Sequence, residues 1–439
     1  MKKRIFISIY YLHLGGAETS LIGLLNALDT EKYDVDLFVF HHVGEMMQYI
    51  PKGINLLPEE PMYAHMDGSV KQCIKDGYWK MAFKRVIAHK KFSKYAKEHG
   101  LTDSAGVYTY IAREVCPILP SLEKYGEYDI AISYIIPHQV VLEKVKAKKK
   151  ICWLHTDYTK VGFDPEAELK VWNQYDHISS ISSDVTKSFL QVFPSLENKI
   201  IEIENIMPAT MIRSRADEFE VDWDKEQEYQ QVFTSMGGGK NTLRILSIGR
   251  FSEQKNFDNL PFICSIMIEE MKKLLSIGRF CEAKNYDNVP DITRRIIEGG
   301  CDIKWYIIGY GGDEELIRQK IEEAGMQGHV IILGKRTNPY PYIKACDIYV
   351  QPSRYEGKSI TVREAQMLCK PVVVTNYPTA SSQIQDGVDG VIVPMDNEEC
   401  ANSLAEFILD GEKQTRIVEF LKTHDFAGQQ EVSKIYNLI

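Results

Sequence analysis

Short apolar runs, each followed by a turn and a stretch of helical period, recur along the whole chain. Residues 4–10 are almost wholly apolar and read as a buried strand. Gly15 and Gly16 then turn the chain, and Leu21, Leu24, Leu25 and Leu28 recur on one face of a helix starting at Ala17. Further strands are predicted over residues 33–40, 128–135, 150–154 and 177–181, with a helix starting at Ser183-Asp184, and residues 199–204 close this half. After an acidic stretch and Gly237-Gly238-Gly239 the alternation resumes. Strands are predicted there over residues 274–277, 303–308, 330–333, 348–351, 371–375 and 390–393. Strands separated by helices imply parallel sheets covered on both faces. The chain is therefore expected to be α/β, with two Rossmann-like, doubly wound domains that bind ligands at the carboxyl ends of their strands. The expected division is a first domain over residues 1–205, a linker region over 206–242 and a second domain over 243–420. A tail over 421–439 is expected to pack back on the first domain.

Two segments interrupt this regularity. Residues 246–261 (LSIGRFSEQKNFDNLP) and 275–290 (LSIGRFCEAKNYDNVP) are near-duplicates. Only the second copy is followed by a helix of normal length and then the strand at Ile303, so the second is expected to occupy the working position. The other segment runs from Trp79 to Lys97, WKMAFKRVIAHKKFSKYAK, with seven Lys or Arg and no acid. It reads either as a solvated helix covering the first sheet or as a basic, aromatic surface for an anionic membrane.

Composition narrows the class. The 439 residues are 44% hydrophobic and 26% charged, ordinary for a globular chain. A net charge of -9 argues against a general nucleic-acid binder. No window is long and apolar enough for a transmembrane helix, and the first apolar run lacks a cleavage site. Nine cysteines without a C-x-x-C pair suit a reducing compartment and give no zinc motif. A cytoplasmic location is expected, extended to the inner face of the membrane if the basic segment binds lipid.

Several groups at strand ends could carry chemistry. Arg279 and Lys284 follow the predicted strand of the second copy at a spacing that could neutralise a diphosphate, or could be ordinary surface charge. Glu356 and Glu364, in EGKSITVRE, flank a helix start that would attract phosphate, although acids favour helix starts anyway. Gly309-Tyr310-Gly311-Gly312 and Leu14-Gly15-Gly16-Ala17-Glu18 are strand-to-helix glycine turns that let backbone approach a ligand, or simply turn. His155, in CWLHTDY, sits just past a strand and is either structural or near a reacting centre. Asp34-Val35-Asp36 has the letters of a metal motif but begins a strand, so no metal site is expected.

Taken in order, LLSIGRFCEAKN, WYIIGYGGDEELI, VIILGK, ACDIYVQPSRYEGKSITVREAQMLCKPVVVTN and DGVDGVIV resemble family 4 glycosyltransferases over residues 274–394. GGAET and His155-Thr156 add weaker support. The likeness is to members that build bacterial capsule or other surface polysaccharides. It implies a GT-B fold, two Rossmann-like domains facing a central cleft, and a retaining, metal-independent transfer of a hexose-type sugar. The donor would be a nucleotide-diphosphate sugar acting as co-substrate, with no further cofactor, and the acceptor a saccharide or lipid-linked saccharide. By the same resemblance Arg279 and Lys284 hold the donor diphosphate, Glu364 the ribose, and Glu356 faces the transferred sugar. Gly16 and Gly309 approach the donor, His155 lies near the sugar, and the backbone at Lys335 borders the base. Lys358 and Ser359 stand where the family often has Phe and Gly, with Ser359 counted among donor contacts, and Gln383 stands where many members carry Glu. An epimerase or phosphorylase on the same fold, or a non-catalytic saccharide-binding protein, remain alternatives.

Overall fold

The computed structural model of the protein describes residues 2–67, 69–101, 106–226 and 271–439. The first duplicate, 246–261, lies outside the described residues, as does 227–242 of the stretch read as a linker. The chain divides into two compact units. One comprises Met1–Ile212, Glu356–Arg363 and Asp425–Ile439, the other Arg213–Tyr355 and Glu364–His424.

The first unit holds strands β1 (Lys3–Ile9), β2 (Tyr33–Val39), β3 (Asn55–Leu56), β4 (Glu127–Ser133), β5 (Lys146–Leu154), β6 (His177–Ser180) and β7 (Ile200–Glu202). All pair in parallel, in the order β3-β2-β1-β4-β5-β6-β7. The order reverses between β1 and β4, the switch point where such sheets bind ligands. Strand β1 is central, which is why Ile5, Phe6 and Ile7 are apolar without alternation and fully buried. Asp36 is buried, but Arg4 (2.8 Å), the Tyr128 hydroxyl (2.7 Å) and Asn55 (2.6 Å) all donate to its carboxylate. A buried carboxylate needs such partners, and these three account for the burial of Asp36. In the closing segment of this unit, the Tyr436 ring stacks on Tyr33 with centroids 4.6 Å apart.

The basic segment forms the helix Trp79–His99, ended by Gly100 in the left-handed conformation. Met81, Ala82, Arg85, Ala88 and Phe92 form its buried face. Among the described residues no helix is long and apolar enough to cross a membrane.

The second unit holds β8 (Lys272–Arg279), β9 (Ile303–Tyr310), β10 (Val330–Gly334), β11 (Ile348–Gln351), β12 (Val372–Thr375) and β13 (Val391–Val393). They too are all parallel, in the order β10-β9-β8-β11-β12-β13, with the reversal between β8 and β11. A hydrogen-bond chain ties the three central strands together. Trp305 donates to the Ser276 hydroxyl (2.9 Å), which donates to the carbonyl of Val350 (2.5 Å). The second duplicate supplies β8, the strand beside this switch point.

Part of the stretch read as a linker is folded. Ala209–Ala216 is helical, and residues 213–226 belong to the second unit. The Trp223 ring lies 4.2 Å from that of Tyr306. Glu226 accepts from Arg336 and from the hydroxyl of Tyr342, both at 2.6 Å.

Candidate active site

In the second unit the predicted donor residues fall at the carboxyl edge of the sheet. Register pairs Gly278 with Gly309 and Arg279 with Tyr310, so the ends of β8 and β9 lie side by side. A Cβ at Gly309 would stand 2.0 Å from the Gly278 carbonyl oxygen and 2.5 Å from the Phe280 ring. Only glycine lets the two strand ends approach this closely. Arg279 is exposed at the tip of β8. Lys284 closes the 3-10 turn Glu282–Lys284, and its methylenes lie 3.1 and 3.2 Å from where a Gly278 Cβ would be. Lys335, just past β10, is exposed, with its ammonium 5.5 Å from the centroid of the Tyr310 ring.

The turn bearing Lys284 is held by a residue that sequence reasoning did not single out. Arg354, just past β11, forks onto both carboxylate oxygens of Asp287 at 2.9 and 2.7 Å and also donates to the carbonyl of Glu282. Its own N–H donates to the carbonyl of Ala283. A bidentate Arg–carboxylate pair fixes orientation as well as distance. It therefore bridges the switch point and sets where the Lys284 backbone sits.

Glu364 lies on the helix Ile360–Met367 and is buried. The Tyr340 hydroxyl donates to its Oε1 at 3.0 Å. The buried guanidinium of Arg215 stands 5.2 Å from the centroid of the Tyr340 ring and donates to the carbonyl of Thr337 at 2.6 Å. Burial pushes the Glu364 carboxyl up to about 7, against the opposing pull of the Tyr340 hydrogen bond and the Arg215 charge. Neither Tyr340 nor Arg215 was anticipated. Tyr340 sits among prolines with no motif around it, and Arg215 falls in the stretch read as a linker.

The remaining predicted residues group in the first unit. Glu356 and Ser359 lie in Glu356–Arg363, which belongs to that unit. A Cβ at Gly16, the first residue of the helix Gly16–Ala27, would meet the Ile360 side chain at 2.9 Å. One at Gly357 would lie 3.7 Å from the His155 carbonyl. Gly16, His155 and the 356–360 segment are thus neighbours. The Ser359 hydroxyl lies 3.0 Å from that of Thr361. Lys358 has a buried side chain paired with Glu204 at 2.8 Å. Gln383 ends the helix Ala380–Gln383 and is buried within the second unit.

The Nε2 of His155 lies 2.9 Å from the carbonyl of Tyr134 and must donate to it. Burial pushes the imidazole down to about 4, so the ring is neutral at ordinary pH with Nδ1 as an acceptor. The Tyr134 hydroxyl pairs with that of Ser20 on the helix Gly16–Ala27 at 2.8 Å, which joins the β4 end to the glycine turn.

Comparison with solved structures identifies the architecture. HepE of Anabaena, crystallised with UDP-glucose, is 14% identical with a TM-score of 0.60, over 99% of this chain and 100% of that one. TarM is 13% identical with a TM-score of 0.60, over 100% of this chain and 99% of that one. The fold is GT-B. Residues 265–424 match the family model described as glycosyl transferases group 1. An uncharacterized glycosyltransferase of Methanocaldococcus jannaschii is 24% identical over 216 residues, 49% of this chain and 43% of the relative. A Campylobacter jejuni transferase that adds N-acetylgalactosamine to an undecaprenol-diphosphate-linked saccharide is 30% identical over 98 residues, 22% of this chain and 27% of that protein. The chain spans less than half the length of the curated relatives it matches.

Proposed function

We propose that this protein is a retaining glycosyltransferase of family 4 type that moves a hexose-type sugar from a nucleoside-diphosphate donor to a saccharide or lipid-linked saccharide. Surface polysaccharide, including capsule, is the proposed product class. The observation that carries this reading is the carboxyl edge of the second sheet. Arg279 ends β8 and Lys284 follows it, the Arg354–Asp287 fork holds the lysine's turn, and Glu364 follows β11 across the switch point.

In the proposed reaction the bond between the sugar's anomeric carbon and the β-phosphate oxygen breaks while the acceptor oxygen bonds to that carbon from the same face. The acceptor's proton passes to a phosphate oxygen of the departing diphosphate. Negative charge grows on the diphosphate as the bond breaks, so fixed cations beside it stabilise the transition state more than the ground state. Arg279 and Lys284 fill that role and make a divalent metal dispensable. Glu364 accepts from the ribose hydroxyls, and Glu356 and His155 bind sugar hydroxyls. Ser359, with the close-packed Gly16 and Gly309, completes the donor contacts, and the backbone at Lys335 borders the base.

A thermal-shift panel of UDP-, GDP- and ADP-sugars tests the reading, since a ligand that binds only the folded state raises the melting temperature. The expected result is stabilisation by one base series, unchanged by EDTA and lost in Arg279→Ala/Lys284→Ala. No shift with any nucleotide sugar would overturn it. Anomeric configuration of a single-turnover product, read by NMR, tests retention separately.

A further inference from the structure

The donor reading leaves the basic helix Trp79–His99 unexplained, and its outward face has an unusual makeup. Trp79 and Phe83 are each 66% exposed and Val86 is 37% exposed. At 100° per residue, positions 79, 83 and 86 lie on one stripe, opposite the buried face of Met81, Arg85, Ala88 and Phe92. Large apolar side chains exposed together on one stripe mark an interaction surface. The same stripe continues through Lys90, Lys94 and Lys97, all exposed, and Lys80 flanks it.

The lysines divide by use. Lys84 and Lys91 both pair with Glu114 and so brace the helix against Val107–Val115. Arg85 is buried and donates to the carbonyls of His65 and Asp67. Those cations serve the fold. Lys94 approaches Glu98 only at 3.8 Å, and Lys80, Lys90 and Lys97 have no acidic partner among the described residues. In a chain of net charge -9 this leaves a positive face with apolar side chains at one end and no acid before Glu98.

We propose that the face of Trp79, Phe83, Val86, Lys90, Lys94 and Lys97 docks on the anionic surface of a lipid bilayer, aromatics inserted at the headgroup boundary and lysines against phosphate. Aromatic rings suit that boundary because one side is apolar and the other wet, and lysine stems bury along it while their ammonium groups stay in water. Each lysine adds attraction that falls off within a Debye length, so binding depends on both lipid charge and salt. A lone acidic protein partner would match the lysines but leave the aromatic stripe without a reason. The assignment does not depend on the donor-site reading, because it uses none of the residues placed there.

The test is flotation of the full chain with vesicles of phosphatidylcholine alone and of phosphatidylcholine with phosphatidylglycerol. Protein is expected to rise with the anionic vesicles only, and less so at high salt. Trp79→Ser/Phe83→Ser and Lys90→Gln/Lys94→Gln/Lys97→Gln are each expected to lower partitioning about tenfold or more. Both variants alter exposed positions, and an unchanged melting temperature verifies that they fold. Equal flotation with neutral vesicles, or failure to float with either, would overturn the proposal. So would self-association abolished by Trp79→Ser/Phe83→Ser, which would assign the face to a second copy of the chain.

Discussion

The Tyr340 hydroxyl donates to the buried Glu364 carboxylate at 3.0 Å, and the buried Arg215 guanidinium lies 5.2 Å from the centroid of the Tyr340 ring. Burial raises the carboxyl while the hydroxyl and the guanidinium hold it down, and the balance leaves it near neutrality, at about 7. A ribose hydroxyl meets a better acceptor when the group is ionised. Donor affinity is therefore expected to rise with pH through about 7. Tyr340→Phe removes one stabiliser of the ionised form, so the midpoint of that rise moves to higher pH, and Arg215→Met acts in the same direction. Calorimetric titration of the matching nucleoside diphosphate between pH 5.5 and 8.5, a range spanning about 1.5 units either side of the group, reads the midpoint. A midpoint that does not move in Tyr340→Phe would dissociate the hydroxyl from the ionisation of Glu364.

Stability without donor should show the same group with the opposite sign. The folded protein keeps a proton on Glu364 that the unfolded chain, at the ordinary 4.5, has released. The native state thus binds more protons between about 4.5 and 7, and stability falls as pH rises through that window. The full difference is of the order of 3 kcal/mol. Glu364→Gln removes the ionisation, so the melting temperature of the variant should overtake that of the parent as pH rises from 5 to 8, compared by thermal denaturation in a wide-range buffer about 3 units across.

If Lys284 holds the donor diphosphate as proposed, the Arg354–Asp287 fork is expected to act on donor binding through the lysine's turn. Arg354→Ala and Asp287→Asn should each weaken nucleotide binding by about tenfold, and the double variant by little more than either alone, because both remove one clamp. Lys284→Ala in either background should then lose less than in the parent. Additive losses across the cycle, measured by titration, would show that the fork does not set the position of Lys284.

What could be read from the chain alone follows from which forces act locally. Strand β11 was expected over residues 348–351 and forms there, because a buried parallel strand shows itself as an apolar run with a Pro-Ser stop. Strand β3, two residues at a sheet edge with a polar Asn55, leaves no such trace. The acidic stretch that begins at Asp217 reads as solvent-facing linker because its partners are distant in sequence. Asp217 pairs with Lys344 and Glu226 with Arg336, more than a hundred residues on. Strand-end position and residue type make Arg279 and Lys284 candidates, and a place in the helix after β11 makes Glu364 one, while the roles proposed for them come from the family resemblance. Tyr340, Arg215 and Arg354 act through contacts that only folding creates.

His155 should be silent in the acid limb of the rate profile near its ordinary pKa. Its ring is held neutral with the proton on Nε2, donated to Tyr134, and burial keeps it so down to about 4. The unfolded chain takes up a proton at about 6.5 that the native ring refuses, so the residue's contribution to stability is intact above that value and declines as pH falls toward about 4. Proton-detected nitrogen shifts of a histidine-labelled sample should place the His155 proton on Nε2 across the working range. A ring that titrates near 6.5 would remove the neutral acceptor role given to its Nδ1.

Gly309 offers the sharpest structural test at the proposed donor edge, because the nearest obstacle is backbone. A methyl there would come within 2.0 Å of the Gly278 carbonyl oxygen, with the Phe280 ring at 2.5 Å on its other side. The carbonyl cannot yield without moving the end of β8, which carries Arg279, away from the end of β9. Gly309→Ala is therefore expected to cost about 1–3 kcal/mol in stability, the usual range for overpacking. It should also weaken nucleoside-diphosphate binding more than that loss alone explains. Gly312→Ala is the control, since nothing lies within 4 Å of a Cβ built at that position in the same turn. Equal melting temperatures and equal affinities for the two variants, by calorimetry, would mean that the close approach of the two strand ends has no part in shaping the site.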